Sequence, residues 1–234
     1  MSDIYSTIIR IQGNEVSEKA ANWCWQSAPA NLEPKYFDAV VPDAVDGLMS
    51  NYNIEWNYPW EGEIIDIKSG LKKRGYKTID PLKRMACFLS HYICWTRVIR
   101  DNKPYMILEH DAVFKSKKPM PIKEILESPY DIIGINDPRG ATRFSAWYHE
   151  LIQRQIGKQI MRAPQIDTPD VPQGLAGNSA YIIKPAGAQH MLNLVKEYGA
   201  WPNDAIMCRQ LVPKLGVTTK YYTTVQNTRS TTTL

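Results

Sequence analysis

The sequence predicts an α/β fold in a single domain, and three observations carry that expectation. Short β-branched or apolar runs alternate with stretches of helical periodicity, which is the pattern of strands paired through helical crossovers. Several of the apolar runs end abruptly in acidic or amide residues. Neither an internal repeat nor a linker-like composition shift divides the 234 residues, a length that suits one domain with a sizeable core.

In chain order, Ser6 to Ile11 reads as a buried strand, and Val16 to Ser27 reads as a helix with Ser17 at its cap. Phe37 to Val41 is a second strand, ending in an acidic turn from Pro42 to Gly47 that contains Asp46. Residues 48–80 are irregular and rich in aromatic residues, as in a loop or lid. Asp80-Pro81 then supplies a cap and a first-turn proline. Met85, Phe88, Leu89, Tyr92, Trp95 and Ile99 follow at three- and four-residue spacing, so one helical face is buried up to about Asp101-Asn102.

Tyr105 to Leu108 forms a strand that runs straight into Glu109-His110-Asp111. Tyr130 to Ile135 forms another, leading into Asn136-Asp137. An amphipathic helix is expected over Tyr148 to Met161, and a glycine-rich turn over Gly174 to Asn178. The strand Ser179 to Ile183 and a helix from Pro185 to Tyr198, closed by Gly199, come next. Asn203 caps a last helix that ends by Pro213, and the tail from Thr223 is polar.

Composition narrows the function classes. The net charge of +4 suits an anionic partner such as a nucleotide-sugar, a phosphorylated glycan, a membrane surface or DNA, without choosing among them. Cys24, Cys87, Cys94 and Cys208 form no CxxC pair and have no zinc-finger spacing. Cys87 and Cys94 lie about 10 Å apart along one helix, beyond disulfide reach. Four free thiols in a reducing compartment are therefore expected. There is no spanning apolar segment and no signal-peptide pattern, so the expected location is the cytosol.

The chemistry concentrates where strands end. In an open α/β sheet, ligands bind beyond the carboxyl ends of the strands. Asp46, Glu109 to Asp111 and Asn136-Asp137 all fall at such ends. An acid-x-acid pair there either holds a hard divalent cation that bridges a diphosphate or simply opens a solvated loop. Ser90 and His91 are neighbours on a helix and diverge by about 100°, so they are not a nucleophile–base pair.

These segments resemble, in order, those of glycosyltransferase family 25. Asp46-Gly47 is similar to the family's Val-Asp-Gly. Ala86-Cys87-Phe88-Leu89-Ser90-His91 is similar to its Gly-Cys-x-x-Ser-His, with Trp95 at the aromatic position. Ile107-Leu108-Glu109-His110-Asp111-Ala112 is similar to Leu-Glu-Asp-Asp-Val, with His110 in place of the middle acid. Tyr130 to Ile133, Gly177 to Ile183 with Gly187-Ala188, Pro202-Asn203-Asp204, and Val225-Gln226 with Ser230 complete the series.

The resemblance implies a GT-A-like (Rossmann-like) domain over residues 1–234, with a mixed, mostly parallel central sheet flanked by helices. It implies an inverting transfer from a nucleotide-sugar, a UDP-sugar being favoured, assisted by Mn2+ or Mg2+. Asp111 is then the metal ligand, and Glu109 touches the donor ribose or a metal-bound water. His110 either contacts the diphosphate or points away. Asp46 lies beside the donor nucleoside, and Gly177 and Asn178 let the backbone approach the sugar. His91 lines the site or braces the acidic loop. Asp204, at a helix start, is the expected general base, with Asp137 in reserve, and Trp201 either stacks on a sugar or is core.

The expected acceptor is a lipooligosaccharide or other glycan. A hydroxylated base in DNA is the alternative, since Arg139, Arg143, Arg154, Lys158 and Arg162 crowd one polar stretch. A degenerate transferase that only binds nucleotide-sugars is the third reading. The donor sugar, the linkage and the oligomeric state are left open.

Overall fold

The computed structural model describes residues 4–141 and 144–226. In chain order the elements are β1 (Tyr5–Arg10), α1 (Glu15–Ser27), β2 (Pro34–Asp38), α2 (Val45–Asn51), β3 (Glu63–Ile65), β4 (Lys72–Arg74), α3 (Pro81–Asp101), β5 (Tyr105–Glu109), β6 (Ala112–Phe114), α4 (Ile122–Leu126), β7 (Ile132–Gly134), α5 (Ser145–Gln153), β8 (Ile160–Arg162), β9 (Ala180–Ile183), α6 (Pro185–Tyr198), α7 (Asn203–Ile206), β10 (Leu215–Thr218) and β11 (Thr223–Val225).

Seven strands form the central sheet in the order β2-β1-β5-β9-β7-β10-β8. β1 pairs in parallel with β2 and β5, and β7 with β10. β9 runs antiparallel to β5 and β7, and β8 antiparallel to β10. Five strands therefore point one way and two are reversed, which agrees with the expected mixed α/β sheet. The carboxyl ends of β2, β1, β5, β7 and β10 share one edge. Because β9 is reversed, its entry, Asn178-Ser179, comes to that same edge.

Alternation along the strands feeds two cores. Ile8, Met106, Leu108 and Ile182 face the layer of α1 and α4. Ile9, Ile107, Tyr181 and Ile183 face the layer built on α3 and α6. α3 is the central helix of that second layer. Asp80 accepts a hydrogen bond from Leu82 N at its start, and Asn102, at φ 46°, turns the chain out at its end. Phe88, Leu89, Trp95 and Val98 are fully buried along it.

Several local expectations are corrected. Asn14, not Ser17, caps α1: Asn14 accepts from Ser17 N, while the Ser17 hydroxyl accepts from Ile11 N. The stretch after Pro42 is a short 3-10 turn leading into α2, so Asp46 sits in a helix rather than a turn. The segment 48–80 is not wholly irregular, since β3 and β4 pair as a hairpin. The helix expected over Tyr148 to Met161 stops at Gln153. Although Ile156 continues the four-residue apolar spacing of Tyr148 and Ile152, it is exposed; Gly157 then adopts the left-handed φ of 78° and residues 160–162 become edge strand β8.

The last helix is only four residues long, follows Pro202, and ends where Cys208 bridges to Gly174. The polar tail contributes a strand, β11, which pairs antiparallel with β6. None of the helices of the described residues is long and apolar enough to cross a membrane.

Candidate active site

At the carboxyl edge of the sheet lies an open cleft of about 1390 Å³. Glu109, His110 and Asp111 form its floor where β5 ends. α3 supplies Arg84, Cys87 and His91, the loop before β9 supplies Gly177 to Ser179, and α7 supplies Asp204. The segment 72–84 adds Lys72, Arg74, Lys77 and Lys83, giving one wall a basic character suited to a diphosphate.

The acidic turn is held from both sides. Gln226 N donates to Asp111 O at 2.7 Å, and the Gln226 amide donates to the carbonyls of Ala20, His110 and Ala112. Glu109 N donates to Ser179 O at 2.8 Å, tying the turn to the entry of β9. Pairing of β11 with β6 carries Gln226 to this position.

His91 is 1 % exposed, with Nδ1 2.9 Å from Tyr181 Oη and Nε2 3.2 Å from Glu109 Oε1. Trp95 Nε1 donates to the same Tyr181 oxygen at 2.9 Å. A carboxylate only accepts, so Nε2 carries the proton. With the proton on Nε2, Nδ1 accepts from the Tyr181 hydroxyl. The chain Trp95–Tyr181–His91–Glu109 sets the direction of the Glu109 carboxylate from within the core. Ser90 diverges as its helical position requires: it donates to Ala86 O and accepts from Val40 N, pinning α3 to the loop after β2.

Asp111 has an unusual environment. Its Oδ1 is buried without a hydrogen-bond partner, and burial, followed by the Glu109 charge, pushes its carboxyl up to about 7. A buried, unpartnered Asp111 oxygen close in sequence to the Glu109 carboxylate fits a hard, oxygen-seeking divalent cation, which would restore the charged form. His110 is pushed below the ordinary imidazole range by burial, so its ring is neutral at physiological pH. Asp204 is half-buried in the wall; burial raises its carboxyl, against the pull of the Arg84 charge.

Asn178 lines the cleft with both side-chain amide atoms buried and unpartnered. The neighbouring glycines have a packing role. A Cβ on Gly177, at φ 73°, would lie 2.7 Å from Asn136 Nδ2, and one on Gly174 would lie 2.1 Å from Asp204 O. The glycines therefore let this loop pass close to Asn136 after β7 and to α7.

Other expected residues lie elsewhere. Asp46 is exposed on α2 and is not among the residues lining the cleft. Asp137 is buried and also outside the lining. Arg139, at 2.7 Å, and Lys115, at 3.1 Å, hold its carboxyl well below the usual carboxylate range. Trp201 is fully buried under the Lys73 ammonium, 4.0 Å from its ring centre, and so belongs to the core. Arg139 and Arg154 are in ion pairs on separate elements, and Arg162 lies on β8. Arg143 and Ser230 fall outside the described residues. The expectation of an aromatic loop or lid over residues 48–80, followed by a helix from Asp80-Pro81, does not include the basic wall at 72–84. Its signal was the density of Lys and Arg in Lys72-Lys73-Arg74, Lys77 and Lys83-Arg84.

Comparison with known proteins bears on this cleft. Residues 18–207 match the family described as Glycosyltransferase family 25 (LPS biosynthesis protein). A Haemophilus influenzae protein described as "Putative glycosyltransferase" is 23 % identical over 171 residues, which cover 71 % of this chain and 49 % of that protein. The chain thus spans about half the length of that curated relative. Among solved structures, mouse xyloside xylosyltransferase 1 in its apo form is similar, with a TM-score of 0.46 and 11 % identity over 91 % of this chain and 83 % of that one. A glycosyltransferase involved in glycosylation of the major capsid of PBCV-1 has a TM-score of 0.41 and 8 % identity, over 97 % and 94 % of the two chains.

Proposed function

Because the chain belongs to glycosyltransferase family 25, we propose that the cleft transfers a sugar, with inversion, from a nucleotide-sugar to a hydroxyl of a glycan acceptor of the lipopolysaccharide type. The observation that carries this reading is the Glu109–Asp111 pair at the end of β5, with Asp111 Oδ1 buried and unpartnered. Asp111 and Glu109 would hold Mn2+ or Mg2+, which when bound offsets the charge of a nucleoside diphosphate leaving group.

The chain's own residues do the rest. The Trp95–Tyr181–His91 relay keeps Glu109 oriented, and Gln226 keeps the turn from shifting away from the cleft. Lys77, Lys83 and Arg84, which line the same cleft, attract the diphosphate and stabilise the charge that grows on it as the glycosidic bond breaks. A UDP-sugar is the favoured donor. Asn178, with a free donor and a free acceptor, is suited to a pair of sugar hydroxyls. Asp204 takes the acceptor proton; burial makes it more basic than a solvated carboxylate, which suits a general base. Asp137 is a poorer base, because two cations hold its carboxylate. Asp46 does not contribute from α2.

The test is a screen of nucleotide-sugars for metal-dependent hydrolysis and transfer, repeated with Asp111→Asn. The expected result is loss of at least about 100-fold in turnover with the fold intact, and inhibition of the parent protein by EDTA that Mn2+ or Mg2+ reverses. Full activity of a folded Asp111→Asn protein would remove the metal role. No observation in the cleft favours DNA as acceptor. Binding of duplex DNA that weakens steeply with salt would reopen that reading.

A further inference from the structure

We propose that Cys87, His91 and Glu109 form a binding site for a thiophilic divalent cation of the zinc type, separate in ligand chemistry from the oxygen pair of Glu109 and Asp111. One ligand atom from each of the three residues lies within 4.8 Å of the other two. Cys87 and His91 are four residues apart on α3 and so project from one face of the helix. Glu109 meets them from the end of β5, its Oε1 3.2 Å from His91 Nε2. All three residues line the cleft, which leaves a fourth coordination position open to solvent or ligand.

The donor set decides the metal. Thiolate, imidazole and carboxylate together select zinc over Mg2+ or Mn2+, which prefer all-oxygen sites. Tyr181, which Trp95 fixes in turn, contacts the other ring nitrogen of His91 and so sets the orientation of the ring. The only protein partner of the Cys87 thiol recorded among the described residues is a long contact of 3.8 Å to Asn203 Oδ1.

On binding, the S–H bond breaks, its proton leaves to solvent, and a metal–sulfur bond forms. The imidazole proton moves from Nε2 to Nδ1, and the Tyr181 hydroxyl hydrogen turns away from Nδ1, so that Tyr181 Oη accepts from His91 and Trp95 together. Because Glu109 is common to both sites, zinc here withdraws it from the oxygen pair, so the two cations oppose each other.

The experiment uses metal alone, with no sugar donor, so its outcome is independent of the proposed transfer. Metal-free protein is titrated with Co2+, followed by thiolate-to-cobalt charge-transfer absorption. The expected result is an intense band that saturates at one equivalent, is erased by one equivalent of Zn2+, and survives a large excess of Mg2+. Cys87→Ser, checked for folding by circular dichroism, is expected to lose the band and to bind Zn2+ at least about 100-fold more weakly. A folded parent protein without the band, or a band retained in Cys87→Ser, would overturn the site. If that variant fails to fold, iodoacetamide labelling of Cys87 in the parent protein, read by mass spectrometry, decides. Slowing by Zn2+ but not by Mg2+ is expected, and unchanged labelling at saturating Zn2+ counts against the site.

Discussion

The metal-binding role proposed for Asp111 would come at the expense of the unliganded fold. The Asp111 carboxyl is pushed up to about 7 by burial and by Glu109, whereas in the unfolded chain it titrates near the ordinary Asp value of about 3.9. Between those values the folded state holds a proton that the unfolded state has lost. The contribution of this group to stability is thus largest at low pH and falls as pH rises from about 4 to 7. Metal-free Asp111→Asn is therefore expected to melt higher than the parent protein at pH 7 and to lose part of the pH slope between pH 4 and 7. Melting curves across that range check this, and a mutant with the parent's slope would show that Asp111 is not the titrating group. Saturating Mn2+ should flatten the parent's slope in the same way, because a bound cation holds the carboxylate ionised.

Among the elements, the β3–β4 hairpin is tied to the body by Lys72 N, which donates to Asp170 O, and by the buried ammonium of Lys73. Lys73 is 0 % exposed, donates to Asn57 O at 2.6 Å, and pairs with Asp66 at 2.7 Å above the Trp201 ring. Its neighbour Arg74 pairs with Glu63 at the surface. Removing one partner of a buried pair leaves an uncompensated charge and costs about 3–5 kcal/mol, whereas exposed pairs contribute about 0–1 kcal/mol. Lys73→Ala is expected to lower unfolding stability by the larger amount and Arg74→Ala by less than about 1 kcal/mol, both read from denaturant midpoints. Equal effects would contradict this account of the hairpin. Since Lys72 and Arg74 line the cleft, Lys73→Ala should also weaken donor binding even though its own side chain points into the core.

At the scale of the whole molecule, the cleft is assembled from segments far apart in sequence. Its floor comes from β5, one wall from α3, another from the loop before β9 and from α7, and its brace from Gln226. A ligand that binds this assembly stabilises all of it. At about 100 times its dissociation constant a nucleoside diphosphate with Mn2+ would add about 2.7 kcal/mol. At roughly 2–4 °C per kcal/mol for a domain of this size, that corresponds to a rise of about 5–10 °C in melting temperature. UDP with Mn2+ is expected to give such a shift and Mn2+ alone a smaller one. No shift with any nucleoside diphosphate would remove the donor reading for the cleft.

The amino-acid sequence by itself determined the features whose physics is local. The α3 helix was legible because its cap, first-turn proline and apolar spacing all lie within one window, and α6 because Pro185 opens it and Gly199 closes it. The acidic end of β5 was legible because an apolar run stops there. The family resemblance was legible because short motifs keep their order along the chain. What only the tertiary structure decided depends on partners distant in sequence. β6, β8, β10 and β11 have three or four residues each, too few for periodicity, and exist because a neighbouring strand completes their hydrogen bonds. Asp137 carries nothing in its local sequence to show that Lys115 would join Arg139 in holding its charge. Glu109, His110 and Asp111 are consecutive in the chain, yet burial, the Tyr181–His91 relay and Gln226 give them three different environments. Charge and desolvation act through space, so the chemistry of that turn was set only when β9, α3 and the end of β11 closed around it.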